Sequence, residues 1–195
     1  MSNFLIFGSS RHKEHPTHAS LMPSKSNAHP DKIKVMFVCL GNICRSPLAH
    51  GLFRDLVAEA GLSDHFEIES SGTGAWHIGE PPHARMRQTA RRHGLSLDDL
   101  RARQFVTADL EAYDHIFVMD KGNLNDVLHL DPHDRHGHKV RLLREFDPDP
   151  GDFQVPDPYY EGRFDHVYAI VERTARTLRD HLIEEYGLVG ERGRG

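Results

Sequence analysis

Val35-Met36-Phe37-Val38-Cys39-Leu40-Gly41-Asn42-Ile43-Cys44-Arg45-Ser46-Pro47-Leu48 changes its periodicity halfway along, and that change decides the fold. The first residues form an unbroken apolar, β-branched run after Lys34, the pattern of a strand buried on both faces of a parallel sheet. The last residues open a helix. Ser46 is a favoured N-cap residue and Pro47 a favoured first helical residue, after which Leu48, Leu52, Phe53 and Leu56 recur at helical spacing until Gly61 stops them. Strand, tight loop and helix thus follow one another, with a thiol (Cys39) at one end of the loop and a guanidinium (Arg45) at the other.

A loop between a strand end and a helix start aims several backbone N–H groups into one concavity, and with the helix dipole behind it this binds anions. Cys39 at its floor feels the same field and the charge of Arg45, which together favour the thiolate nucleophile. Arg45 carries a planar fork that can hold two phosphate oxygens at once, which a lysine could not do. The stretch reads as a phosphate cradle with a nucleophile in it; the bland alternative is an inert buried cysteine and a surface arginine.

Val38-Cys39-Leu40-Gly41-Asn42-Ile43-Cys44-Arg45-Ser46-Pro47 resembles the signature of the low-molecular-weight protein tyrosine phosphatases. The resemblance covers residues 32 to 188 and implies an α/β three-layer sandwich whose four-stranded parallel sheet runs in the order 2-1-3-4 with helices on both faces. It implies that Cys39 and Arg45 are catalytic and that Leu40, Gly41, Asn42, Ile43, Cys44 and Ser46 bind substrate from the loop.

Elsewhere the pattern agrees with an open parallel sheet. Phe66 to Ser70 alternates apolar and polar as a second strand, His115 to Met119 reads as a third buried strand, and Lys139 to Leu143 as a fourth. Helical segments separate them: Pro81 and Pro82 start one that Gly94 ends, Thr107 caps one turn before Tyr113, and Leu124, Val127 and Leu128 support another. A long amphipathic helix closes the chain, its apolar stripe running from Phe164 to Tyr186 until Gly187. Crossover-length connections between the first three strands argue the sandwich independently, though not the strand order.

Val155-Pro156-Asp157-Pro158-Tyr159-Tyr160 carries the second cluster. Prolines on both sides of Asp157 hold the backbone extended and the carboxyl out from the fold. Alone, Asp-Pro is ordinary turn chemistry. Asp-Pro-Tyr-Tyr resembles the second signature of the same family, about 115 residues after the first, and this implies that Asp157 is the general acid and that Tyr159 and Tyr160 flank the substrate.

Three more positions follow from the resemblance. Trp76, in the loop after the second strand, matches the aromatic wall of the active-site mouth, although a Trp covering the core edge would look the same. Ser70 matches a hydroxyl that supports the phosphate loop, or else satisfies local backbone. His93 falls where the family places a histidine bonded to the loop Asn, here Asn42.

The 195 residues, 38% hydrophobic and 27% charged, suffice for one domain with an adequate core, and a net charge of −5 gives no sign of nucleic-acid binding. No apolar run approaches a membrane span. Two cysteines five apart in one loop cannot staple a secreted framework and favour a reducing, cytoplasmic setting. Residues 1–31 read as a disordered leader of Ser, His, Pro, Lys and Asn after a short apolar patch, and residues 189–195 as a short polar tail. Histidines of the leader and of the loop from His129 to His138 read as solvated, so no metal is expected, and no cofactor.

The expected reaction is two-step phosphoryl transfer: Cys39 attacks, Arg45 and the loop hold the phosphate, and Asp157 protonates the leaving oxygen. Ser46 either donates a hydrogen bond to the sulfur or only caps the helix. A phenol, with pKa near 10, leaves far better than a serine alkoxide, so a phosphotyrosine-containing protein is the expected substrate, with a tyrosine kinase among the partners and a monomer as the working state. Three alternatives stand beside this. A protein-arginine phosphatase shares the cradle, but the position of Ile43 resembles Thr in that subgroup; an arsenate reductase needs a cysteine pair that is absent after Cys44; a non-catalytic phosphate-binding module has no use for Cys39 and Asp157. Peroxide would oxidise a thiolate exposed in a cleft, with Cys44 close enough in the loop to form a protective disulfide or else merely packed beneath it.

Overall fold

The computed structural model describes residues 32–189 of the chain. The leader lies outside the described residues, as does the tail from 190 onward; Val189 is exposed. Strand β1 (Ile33–Cys39) is central in a four-stranded parallel sheet of order β2-β1-β3-β4, paired with β2 (Phe66–Gly72) on one side and β3 (His115–Val118) on the other; β4 (Val140–Leu142) lies outside β3. This is the order the family resemblance implies.

Neighbouring side chains of β1 point to opposite faces, so a central strand covered on both sides must be apolar throughout. Val35, Phe37 and Cys39 belong to one core, with helices α1 (Arg45–Glu59), α2 (Ala84–Arg92) and α6 (Phe164–Tyr186), while Met36 and Val38 belong to a second core with α3 (Thr107–Ala112) and α4 (Lys121–His129). Residues Val35 to Val38 are all 0% exposed, which is why no alternation survives in this run. The Phe37 ring meets Phe53 of α1 edge-on with centroids 5.7 Å apart. On α6, Val171, Ala175, Leu178 and Leu182 are fully buried at helical spacing, and Gly187 ends it at φ 60°, a left-handed C-cap.

Three helix starts differ from the sequence reading. α3 begins at Thr107 with Val106 as its N-cap, so Thr107 is not the cap. α2 begins at Ala84 rather than at Pro81, because the His83 ring Nδ1 accepts the Arg85 N–H at 3.3 Å and makes His83 the cap, leaving both prolines in the approach loop. α1 begins at Arg45 with Cys44 as N-cap and no side-chain capping bond, so Ser46 is not the cap. Its hydroxyl is drawn instead beneath the loop. Strand limits shift only at their ends: β2 runs two residues further, to Gly72, and β4 is shorter. Among the described residues no helix is long and apolar enough to cross a membrane.

Candidate active site

The loop from Leu40 to Cys44 turns at the carboxyl end of β1, where open parallel sheets keep their ligands. Its tightness depends on residues that permit a close backbone approach. Gly72, paired with Cys39 across the sheet, lies so near that a Cβ there would come 2.8 Å from the Leu40 carbonyl and 3.0 Å from the Asn42 nitrogen. Asn42 itself has φ 54°, a left-handed conformation that costs little for Asn and turns its N–H inward. That N–H points to the Cys39 sulfur at 3.3 Å.

Three bonds hold Asn42 in place. Its amide donates to Ser46 Oγ at 2.9 Å and Ser70 Oγ at 3.0 Å, and its carbonyl accepts the Arg103 backbone N–H at 2.9 Å. Ser46 Oγ stands 3.1 Å from both the Cys39 sulfur and the Ser71 carbonyl. Its single proton can serve either acceptor, and an anionic sulfur is the stronger one. Ser70 thus meets Asn42 from behind the loop, where the resemblance located it.

His93 does not reach Asn42. It follows the last residue of α2 and its ring stacks on Tyr168 at a centroid distance of 4.0 Å, because the helix ends one residue earlier and Gly94 turns the chain away. The histidine that joins the network is His50, on α1, whose Nδ1 lies 3.4 Å from Ser70 Oγ. Its sequence signal was concealed, since position 50 falls on the apolar face of an amphipathic helix. Burial first, and then the charge of Arg54, lower the pKa of His50 to about 4.

The folded pKa lies below the unfolded value of 6.5, so the unfolded chain binds the extra proton first, and His50 contributes stability that is present above pH 6.5 and lost as pH falls towards 4. The parent should lose roughly 3 kcal/mol from this group across that window. Thermal unfolding of the parent and of His50→Gln between pH 7 and pH 4 checks this: a matching decline in both would remove His50 as the cause.

Arg45 is 3% exposed and makes two ion pairs, to Asp120 Oδ2 at 2.6 Å and to Asp157 Oδ2 at 2.7 Å, with a further bond to the Val155 carbonyl at 3.2 Å. Burial opposes its charge, but Cys39, Asp157 and Asp120 outweigh burial and hold its pKa above the ordinary value. Asp120 caps α4, its other oxygen accepting the Asn123 N–H at 2.7 Å. Asp157 caps the short α5 (Pro158–Glu161) through the Tyr159 N–H at 3.0 Å.

The loop that delivers Asp157 is braced from below. Val155 N–H bonds the Met119 carbonyl at 2.8 Å at the end of β3, and Arg144 donates to the Gln154 and Asp149 carbonyls at 2.8 and 2.6 Å. Arg144 and Arg173 are both paired with the buried carboxylate of Asp147. No local pattern pointed to this brace, because its members come from three separate segments.

A pocket of about 250 Å³ opens above the loop. Cys39, Leu40, Gly41, Ile43, Cys44 and Arg45 form its floor, and Trp76, His77, Asp157, Tyr159 and Tyr160 its walls. Trp76 is 72% exposed, which excludes the core-edge reading, and Tyr159 meets Tyr160 edge-on with centroids 5.2 Å apart. His77, which was not singled out in the sequence, bonds Glu80 at 2.7 Å and packs over Gly41. Cys44 is buried, and burial, with the Cys39 and Asp157 charges, pushes its thiol well above the ordinary value. Among the described residues no group of three or more His, Cys, Asp and Glu side chains could hold a metal ion, and the loop from His129 to His138 supplies none.

The low molecular weight phosphotyrosine protein phosphatase family matches this chain over residues 34–187, and the chain belongs to that family. The low molecular weight protein-tyrosine-phosphatase YfkJ of Bacillus subtilis is 43% identical over 153 residues, covering 78% of this chain and 97% of its own. A Streptomyces coelicolor low molecular weight protein-tyrosine-phosphatase is 44% identical over 149 residues, covering 74% of this chain and 90% of its own. The crystal structure of a protein tyrosine phosphatase from Entamoeba histolytica, with Hepes in its active site, superposes with a TM-score of 0.75 at 33% identity, covering 80% of this chain and all of that one.

Proposed function

We propose that this chain hydrolyses protein phosphotyrosine through a phosphocysteine intermediate. The convergence on one pocket of Cys39 and Arg45, at the two ends of one loop, with Asp157 from a segment distant in the chain carries this reading. A phosphate entering the pocket meets the loop N–H groups and takes Nη2 of Arg45 over from Asp157. Asp120 keeps Nη1, so the guanidinium stays oriented while its other edge turns to the substrate. Asp157, released from its cation, then carries the proton that the leaving phenolate needs.

In the first step the Cys39 sulfur forms a bond to phosphorus as the bond to the tyrosine oxygen breaks and Asp157 gives that oxygen its proton. In the second, Asp157 takes a proton from water, the water oxygen bonds phosphorus, and the thiolate leaves. Ser46, with its hydroxyl 3.1 Å from the sulfur, stabilises the departing charge. The side chain of Ile43 in the pocket floor supports phosphotyrosine over phosphoarginine, and Trp76, Tyr159 and Tyr160 offer ring faces to an aryl substrate. Neither the arsenate reductase nor the binding-module reading has an observation in its favour.

The working setting follows the same reading: a cytoplasmic monomer, acting on proteins phosphorylated by tyrosine kinases, with residues 1–31 dispensable for turnover. Incubating the full chain with phosphotyrosine, phosphoserine and phosphoarginine peptides tests the reading. Phosphotyrosine should turn over at least about a thousandfold faster than phosphoserine, since the leaving group differs by several pKa units. Faster turnover of phosphoarginine would overturn it, and no turnover at all would leave a binding module.

Peroxide sensitivity belongs to the same proposal. Peroxide converts the Cys39 thiolate to sulfenic acid, and the Cys44 thiol condenses with it to a disulfide with loss of water. Because Cys44 is held as the neutral thiol, that closure is slower than attack by a thiolate would be. Parent enzyme inactivated by peroxide should recover in thiol reductant, while Cys44→Ser should stay active beforehand and then be lost irreversibly. Equal recovery of the two would reduce Cys44 to a packing residue.

A further inference from the structure

A second cavity of about 540 Å³ lies beside the candidate active site and shares two of its lining residues, Leu40 and Trp76. These two side chains form the partition. The Trp76 ring packs on Gly74, where an added Cβ would come 1.8 Å from it, so a side chain at that position would displace the indole from between the two spaces. The floor of the groove is Phe105 and Val127, both buried, and its rim carries Val106 and Leu130, which are 48% and 37% exposed. Several of the polar side chains at its edge already bond within the protein: Thr73 Oγ1 donates to Asp126 at 3.0 Å, Gln104 to the Thr73 carbonyl at 3.3 Å, and His129 Nδ1 meets the Asn125 carbonyl at 2.8 Å. Between those polar groups the groove offers a ligand the apolar surface of Phe105, Val106, Val127 and Leu130.

The catalytic pocket is large enough for one phosphoaryl group, and a polypeptide substrate must lay its flanking residues on the surface around the mouth. In an extended segment, side chains two residues apart point the same way and stand about 7 Å from each other. A phosphotyrosine ring on one side of the Leu40–Trp76 partition therefore brings such a neighbour to the other side. We propose that this groove is a specificity subsite that takes a large apolar side chain of the substrate protein, two residues from the phosphotyrosine. The inference rests on the phosphatase reading above and adds to it which substrates are preferred. Continuity with the catalytic pocket selects a substrate segment as the occupant, and the apolar floor and rim formed by Phe105, Val127, Val106 and Leu130 select an apolar side chain.

The test uses extended phosphotyrosine peptides with Leu or Ser placed in turn at each position within three residues of the phosphotyrosine, together with p-nitrophenyl phosphate. The parent should show about tenfold higher kcat/KM for Leu over Ser at a position two residues away, the size of discrimination an apolar pocket provides. Val106→Asp and Leu130→Asp, both on the rim, should each bring that ratio to within about twofold while leaving p-nitrophenyl phosphate turnover and Tm near parental values. Should one variant lose its fold, the other still reads the same ratio. No Leu preference in the parent at such a position, or a preference that survives in the folded variant, would overturn the subsite. Variants that alter only the sedimentation coefficient would show a second copy of the chain as occupant and overturn it equally. Failure of the parent on p-nitrophenyl phosphate marks instead the failure of the phosphatase reading.

Discussion

Cys39→Ser is expected to lower turnover of an aryl phosphate by on the order of 10⁴-fold or more, while inorganic phosphate still binds. A serine hydroxyl is a far weaker nucleophile than a thiolate, and the loop N–H groups and Arg45, which hold the anion, are unchanged by the substitution. Arg45→Ala should lose both turnover and phosphate affinity. It also leaves Asp120 and Asp157 facing one another without the cation that lies 2.6 and 2.7 Å from them, so its Tm should drop as well. Competitive inhibition by phosphate, measured beside single-turnover rates, separates the two roles. Residual turnover in Cys39→Ser within about tenfold of the parent would remove Cys39 as nucleophile, because losing covalent catalysis has a much larger effect.

The second large effect concerns the acid. Asp157→Asn should slow phenyl phosphate by about 10² to 10⁴-fold but slow p-nitrophenyl phosphate far less, because only the poorer leaving group needs a proton in the transition state. Asn retains the shape of the side chain and can accept the Tyr159 N–H, so α5 should keep its cap. Asp120 is the other carboxylate on Arg45, but it does not line the pocket, and its oxygens are taken up by Arg45 and the Asn123 N–H. Asp120→Asn should therefore slow both substrates by a similar factor, through misplacement of Arg45. Equal slowing of the two substrates in Asp157→Asn would assign the proton to another group.

Much of this site was legible before folding because its parts are local. A thiol, a short loop containing Gly41 and Asn42, and a guanidinium within seven positions already mark a strand end, an anion-binding loop and a helix start, since a strand-to-helix turn aims backbone N–H groups into one concavity. Asp157 was legible only through the resemblance of Asp-Pro-Tyr-Tyr to the family's second signature, since flanking prolines restrict its backbone but by themselves mark only a turn. The limits of local pattern show at Ser46 and His93. Ser46 has a capping residue's chemistry, but the Cys39 sulfur, Asn42 and the Ser71 carbonyl surround its hydroxyl, and a residue cannot cap a helix while it serves three partners beneath a loop. His93 and His50 are both histidines beside apolar residues, and only the packing of α1 against β2 brings one of them to Ser70.

By itself the sequence determined the strand, loop and helix of the phosphate cradle and the parallel α/β class, because each depends on side-chain chemistry or periodicity within a few residues. Only the tertiary structure decided what holds those groups. The pairing of Arg45 with both Asp120 and Asp157, the lock of Asn42 between Ser70 and Arg103, and the groove behind Trp76 all join residues distant in the chain. Such contacts depend on how β1, β2 and β3 register against each other, and register is a property of the packed sheet that no single segment encodes.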